Sequence, residues 1–192
     1  MSRMSLELLI GPMFAGKSSA IQSIVRRHQA LDWKIFVITH SIDRRYSDVP
    51  AIVNHDLQAI PACSSEKLMP LLETEGYANS RLVIVEEAQF FPDLVPFIRR
   101  VVDTDGKHAV VVGLDGDAER RPFGKVLDLI PLCDRVTKMT AFCKKCSDGT
   151  PALFTYDRDD QTEARVVTQV GGEERYSALC RKHYLNGKMG IL

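Results

Sequence analysis

Short, continuously apolar runs recur along the first 140 positions, each separated from the next by a stretch with helical periodicity. Residues 6–10, 35–39, 82–85 and 109–114 are largely apolar at successive positions, with Glu7 and Thr39 as the polar members. That is the pattern of strands buried on both faces. Residues 18–30, 65–73 and 93–103 read as helices, with Pro70 and Pro96 leaving the ends of the last two open. Strands alternating with helices predict βαβ units and a parallel sheet with helices on both faces. Residues 136–141 read as a fifth strand. Residues 41–60 have weak periodicity and read as loop or irregular strand.

The pattern changes after Phe142. Two β-like stretches, 152–156 and 164–170, are joined by the polar residues 157–163, and Gly171-Gly172 marks a sharp bend. The division expected is a main α/β domain over 1–140 and a small lobe over 141–192. No internal repeat or low-complexity segment interrupts either part.

Composition narrows the class. The 192 residues are 45% hydrophobic and 26% charged, with 25 basic and 25 acidic side chains and a formal net charge of zero. An ordinary globular protein follows, and a broad electrostatic footprint for nucleic acid or anionic membrane does not. No apolar run approaches a membrane span and no signal-peptide core precedes the first strand, so a cytoplasmic location is the default. Five cysteines, two of them spaced C-x-x-C, point to metal rather than to a disulfide framework.

Two motifs carry the chemistry of the first 140 residues. Gly11-Pro12-Met13-Phe14-Ala15-Gly16-Lys17-Ser18 fits G-x-x-x-x-G-K-[ST] without mismatch and lies between a predicted strand and a predicted helix. That turn aims backbone N–H groups and a helix N-terminus at one point, where a polyphosphate binds. Lys17 would reach the β- and γ-phosphates, and the Ser18 hydroxyl would ligate Mg²⁺. The strand 82–85 ends in Glu86-Glu87. In P-loop enzymes an acid at the end of the strand beside the phosphate site positions Mg²⁺, the role expected of Glu86. Glu87 is then available to take a proton from a hydroxyl or to orient a water.

In the lobe, Cys143-x-x-Cys146 and Cys180-x-x-His183 supply a Cys₃His set suited to tetrahedral Zn²⁺. With no open position, such a site is structural and braces a lobe too small to hold a core alone. The fold class expected is therefore α/β: a P-loop NTPase-like parallel sheet flanked by helices, with a small zinc-bound β lobe.

Other residues have plainer readings. His28, His40, His55 and His108 lack metal-like spacing and read as surface or hydrogen-bonded histidines. Arg26-Arg27 and Arg99-Arg100 complement helix C-termini. Cys63 and Cys133 read as core thiols, and Trp33 as packing at a helix–strand junction. Phe90-Phe91 read either as core or as facing a substrate.

These pieces together resemble the type II thymidine kinases, the zinc-containing family of cytosolic and viral enzymes. The resemblance runs through residues 11–18, Asp43-Arg-Arg-Tyr46, Glu87-Ala-Gln-Phe-Phe91 and Gly113-Leu-Asp-Gly116. It continues through Pro122-Phe-Gly124, Ala141-Phe-Cys-Lys-Lys-Cys146, Val170-Gly-Gly-Glu-Glu-Arg-Tyr176 and Cys180-Arg-Lys-His183. It implies transfer of phosphate from ATP to the 5′-hydroxyl of thymidine, or of deoxyuridine, giving the 5′-monophosphate and ADP. Glu87 aligns with the family's general base and Arg45 with an arginine near the phosphates. Residues 11–18, Glu86 and Gln89 fall in the ATP and Mg²⁺ set. Met13, Phe90 and Leu114 align with the walls of the thymine pocket. Thr155, Val167, Gln169 and Tyr176 align with a loop that closes over the nucleoside, its ends anchored by the zinc cluster. A homotetramer and feedback inhibition by thymidine triphosphate are further implications, with no nucleic-acid or membrane partner. A P-loop NTPase moving on nucleic acid and a catalytically dead nucleotide-binding protein are the competing classes.

Three positions depart from the family pattern. Glu86 stands where Asp is usual, Ala118 replaces an aromatic common in the base pocket, and His183 stands where many members have a fourth Cys.

Overall fold

The apolar runs form the centre of a parallel sheet. A computed structural model of the chain describes residues 4–42, 51–53, 59–158, 172 and 174–190. The main strands are β1 (Ser5–Ile10), β2 (Ile35–His40), β5 (Cys63–Ser65), β6 (Leu82–Val85), β7 (His108–Gly113) and β8 (Arg135–Lys138). They stand in the order β5-β2-β6-β7-β1-β8, and every pairing is parallel. Two short strands, β3 (Ala51–Val53) and β4 (Ala59–Pro61), pair antiparallel within the stretch of weak periodicity.

Alternate residues of the sheet feed two cores. Leu6, Leu8, Ile10, Ile38, Val83, Val85, Ala109 and Val111 face one side, against Leu94, Phe97 and Ile98 of α3 (Leu94–Arg99) and Tyr77 of α2 (Glu75–Asn79). Leu9, Val37, Leu82, Ile84, Val110 and Val112 face the other side, against Ile21 and Val25 of α1 (Lys17–Gln29). Burial on both sides explains why these strands read as unbroken apolar runs.

Two of the expected helices take another form. Residues 65–73 divide into β5 and a 3₁₀ turn, Met69–Glu73, with Pro70 in its first turn, and α2 follows. The polar residues before Pro70 have no apolar stripe to bury. Instead the Asp93 carboxylate accepts hydrogen bonds from the Leu68 and Met69 amides at 2.9 and 2.8 Å. Asp93 is thereby drawn away from capping α3, which widens into a π turn over Arg100–Thr104. The expected strand at 136–141 is split. β8 ends at Lys138, and β9 (Ala141–Phe142) pairs with β10 (Pro151–Ala152) in a separate sheet.

The lobe adds an antiparallel pair, β11 (Phe154–Asp157) and β12 (Tyr176–Leu179), and α4 (Arg181–Lys188). Its core comprises Ala141, Cys143, Ala152, Ala178, Leu179, Cys180 and Tyr184, and it takes in Ala15 of the P-loop. The expected strand at 164–170 lies outside the described residues. No helix among the described residues is long and apolar enough to cross a membrane.

Candidate active site and metal centre

The chain order reverses where β1 sits between β7 and β8, and crevices outside the C-terminal ends of strands at such points hold ligands. Three of the expected site elements end there: residues 11–18 follow β1, Glu86-Glu87 follow β6 and Leu114 follows β7. The P-loop turns sharply, with Phe14 and Gly16 both left-handed at φ 64° and 77°. α1 then starts at Lys17 with no acidic residue in its first turn, so its N-terminal dipole is unopposed by its own side chains. The Lys17 ammonium lies along the loop, donating to the carbonyls of Pro12 at 2.7 Å and Gly11 at 3.3 Å.

Ser18 Oγ donates to Glu86 Oε1 at 2.8 Å. This bond brings the hydroxyl and the carboxylate that were expected to hold a divalent cation side by side. β1 pairs with β7 and β8, and the acidic strand β6 pairs with the far side of β7. Glu86 spans the end of β7, a reach that the longer glutamate side chain suits. It is 8% exposed, and its amide donates to the Ile38 carbonyl at 2.9 Å, which fixes the strand end.

Glu87 has left-handed backbone angles, φ 51° and ψ 40°, outside the region that a glutamate normally occupies. Such strain is held in place by surrounding packing and clusters at functional sites. Phe90 packs between the His40 and Phe123 rings at 5.6 and 5.5 Å between centroids, while Phe91 is buried in the core. Phe91 thus takes the core role of the two that the sequence left open. Burial lowers the pKa of His40, against the pull of the Glu66 and Glu87 carboxylates.

The lobe touches the cradle directly. Thr155 Oγ1, on β11, accepts a hydrogen bond from the Met13 amide at 3.0 Å. Tyr176 begins β12 opposite Asp157, whose carboxylate pairs with Arg175 at 2.8 Å. Arg45, Val167 and Gln169 lie outside the described residues.

Cys143, Cys146, Cys180 and His183 converge, with all four ligand atoms within 4.8 Å of one another. The Cys146 and Cys180 sulfurs are 3.8 Å apart, and His183 Nδ1 lies 3.3–3.5 Å from the three sulfurs. A tetrahedron with Zn–S of about 2.3 Å and Zn–N of about 2.0 Å has edges of about these lengths. The donor set therefore fits zinc, with Nδ1 as the ligating nitrogen. Burial pushes the Cys143 thiol up, but amide hydrogen bonds from Cys180, Cys146 and Lys145 and the His183 ring outweigh it. They bring the thiol to about 6, close to the thiolate that zinc needs.

From this knuckle, α4 runs to residues 117–121. Tyr184, 2% exposed, donates its hydroxyl to the Ala118 carbonyl at 2.7 Å, and Lys188 pairs with Glu119 at 2.5 Å. The Arg120 guanidinium lies over the Tyr184 ring at 4.6 Å. Sequence reasoning missed this latch. An aromatic one position after a metal-like histidine was the signal that could have found it. Trp33 packs at the junction of α1 and the sheet, flanked by the His28 and His108 rings with Arg81 above it at 3.9 Å. Cys63 and Cys133 are half-buried and pack against the edge of the core.

The chain matches the family model for thymidine kinase over residues 4–184. It is 38% identical over 190 residues to a thymidine kinase of Oryza sativa subsp. japonica, covering 97% of this chain and 68% of that protein. It is 37% identical over 190 residues to thymidine kinase a of Arabidopsis thaliana, covering 97% and 77%. The thymidine kinase of vaccinia virus (strain Western Reserve) is 37% identical over 181 residues, covering 94% of this chain and 97% of the viral protein.

Proposed function

The chain belongs to the thymidine kinase family, and from that premise we propose that it moves the γ-phosphoryl group of ATP to the 5′-hydroxyl of thymidine. The products are thymidine 5′-monophosphate and ADP. The observation that carries this reading is the 2.8 Å bond between Ser18 Oγ and Glu86 Oε1, which joins the phosphate cradle to the acidic strand end. In this reading Glu87, the next residue, meets the nucleoside hydroxyl beside the γ-phosphate.

In this scheme the amides of residues 11–18 and the α1 N-terminus hold the phosphate chain, and Lys17 leaves the Gly11 and Pro12 carbonyls for the β- and γ-oxygens. Ser18 and Glu86 would hold the Mg²⁺ that accompanies ATP, and the ion would supply charge neutralisation for the phosphates. The 5′-oxygen bonds to the γ-phosphorus as the bond to the ADP oxygen breaks. Its proton passes to the Glu87 carboxylate. A carboxylate is a weak base for an alcohol, so the proton moves late and positioning supplies most of the rate. Arg45 would stabilise charge on the group in flight. Met13, Phe90 and Leu114 wall the base, while Thr155, Val167, Gln169 and Tyr176 close over the nucleoside.

Zinc at the Cys₃His cluster is structural in this reading, bracing the lobe that carries Thr155 against the Met13 amide. Cysteines free of disulfides suit a reducing, cytoplasmic setting. A homotetramer and inhibition by thymidine triphosphate rest on the family resemblance alone, and sizing and an inhibitor titration test them. The functional reading is tested by labelled phosphate transfer from ATP to each of the four deoxynucleosides, with and without Mg²⁺. Labelled thymidine monophosphate formed only with Mg²⁺ supports it. Phosphate release stimulated by DNA, with no labelled nucleoside, would refute it.

A further inference from the structure

We propose that Gln89 is the positioning residue for Glu87, clamping its carboxylate to the end of β7 so that it meets the nucleoside hydroxyl in one orientation. The inference rests on the thymidine kinase reading above and assigns Gln89 a role that its place in the nucleotide-binding run does not describe.

The side chain of Gln89 is 4% exposed and bridges two partners. Its Nε2 donates to Glu87 Oε2 at 2.5 Å, and its Oε1 accepts from the Leu114 amide at 3.0 Å. The second bond decides the first. A backbone N–H only donates, so it fixes Oε1 towards Leu114 and leaves Nε2 facing the carboxylate. Gln89 thus presents donors to Glu87, and a glutamate there would not.

Two glycines leave room for this residue, Gly113 for its side chain and Gly124 for its backbone. A Cβ on Gly113 would lie 2.7 Å from Gln89 Oε1, and a Cβ on Gly124 would lie 2.0 Å from the Gln89 carbonyl oxygen. Gly124 also has φ of +60°, so backbone conformation and close approach both call for glycine there. Glu87 needs such a clamp because its own left-handed backbone is not self-supporting. The ionisable groups near the carboxylate include His40 from β2 and the chain neighbour Glu86, which follows β6 and is held by Ser18. Each of these is charged or polar for its own reason. Gln89 is the neutral group that ties the carboxylate to Leu114, a residue expected in the pocket wall.

The experiment compares wild type, Gln89→Glu and Gln89→Met in steady-state transfer from ATP to thymidine across pH 5–9, with thermal midpoint and zinc content as fold checks. Gln89→Glu keeps an acceptor for the Leu114 amide but turns a carboxylate towards Glu87, and adjacent like charges raise a carboxyl pKa. The expected result is a kcat lower by tenfold or more at pH 7 in both variants, with KM for ATP within twofold. In Gln89→Glu the acidic limb of kcat/KM for thymidine should also move up by about one pH unit. Gln89→Met, which has no charge, keeps the inference testable if the glutamate variant does not fold. A raised KM for ATP or a raised Mg²⁺ requirement with kcat retained would assign Gln89 to the nucleotide and overturn the inference. Wild-type kcat and an unmoved limb would overturn it as well. Wild-type enzyme that transfers nothing to thymidine would overturn the functional reading, a result distinct from an active wild type whose variants behave identically.

Discussion

Replacing Tyr184 by Phe removes one oxygen and tests whether the zinc lobe holds the nucleoside pocket. The ring is 2% exposed and packs against Phe154 and Tyr156, and phenylalanine keeps that burial. What is lost is the 2.7 Å hydrogen bond to the Ala118 carbonyl. A net hydrogen bond contributes about 1 kcal/mol, and Ala118 is only half-buried, so water can reach the carbonyl and the cost stays near that value. For a chain of this length such a loss lowers the thermal midpoint by about 2–4 °C. Residues 117–121 then keep the Lys188–Glu119 pair and the Arg120 stack on Tyr184. The KM for thymidine should rise several-fold, with KM for ATP unchanged and kcat within twofold. The assay is calorimetry beside steady-state kinetics on zinc-replete protein. A Phe variant with a lower midpoint but wild-type KM for thymidine would show the latch to be stabilising only. A raised KM for ATP would contradict the reading, drawn from the family resemblance, that Ala118 borders the base pocket.

Two more predictions follow from the cluster and the histidines. Cys146→Ser should lose bound zinc on dialysis, lower the thermal midpoint and raise KM for thymidine more than KM for ATP; metal analysis checks it, and full activity without metal would refute the structural assignment. His40 and His108 have pKa values lowered by burial foremost, with Arg81 and His28 adding to the effect at His108. The unfolded chain therefore binds more protons below about pH 6.5, and stability should fall as pH drops from 7 to 5.5. His108→Gln should flatten that slope in melts at several pH values, and a slope equal to wild type would remove His108 as a cause.

The parts of the fold legible in the sequence are those set by local chemistry. The central strands β1, β2, β6 and β7 are dominated by apolar residues because both faces are covered, and the P-loop and the Cys-x-x-Cys and Cys-x-x-His pairs carry their spacing in the chain. What was not legible depends on partners far away in sequence. Asp93 looks like a helix cap, yet its carboxylate serves the amides of Leu68 and Met69, so residues 65–73 do not form the helix their composition suggested. Residues 136–141 are uniform enough to read as one strand. Only the pairing of β8 with β1 and of β9 with β10 divides them. That β7 lies between β1 and the strand that ends at Glu86 is not written in any local pattern. Gln89 and Tyr184 act through Leu114 and Ala118, contacts that no spacing rule announces.

The central claim is that the P-loop and Glu86-Glu87 form one phosphoryl-transfer site with Glu87 as the base. Glu87→Gln is its most direct test, because glutamine keeps the size of the side chain and an oxygen for Gln89 Nε2 while removing the basic carboxylate. Measured by transfer of labelled phosphate from ATP to thymidine, kcat should fall by about 10²–10⁴-fold, with thymidine affinity and thermal midpoint close to wild type. Turnover equal to wild type in a folded Glu87→Gln enzyme would contradict the account.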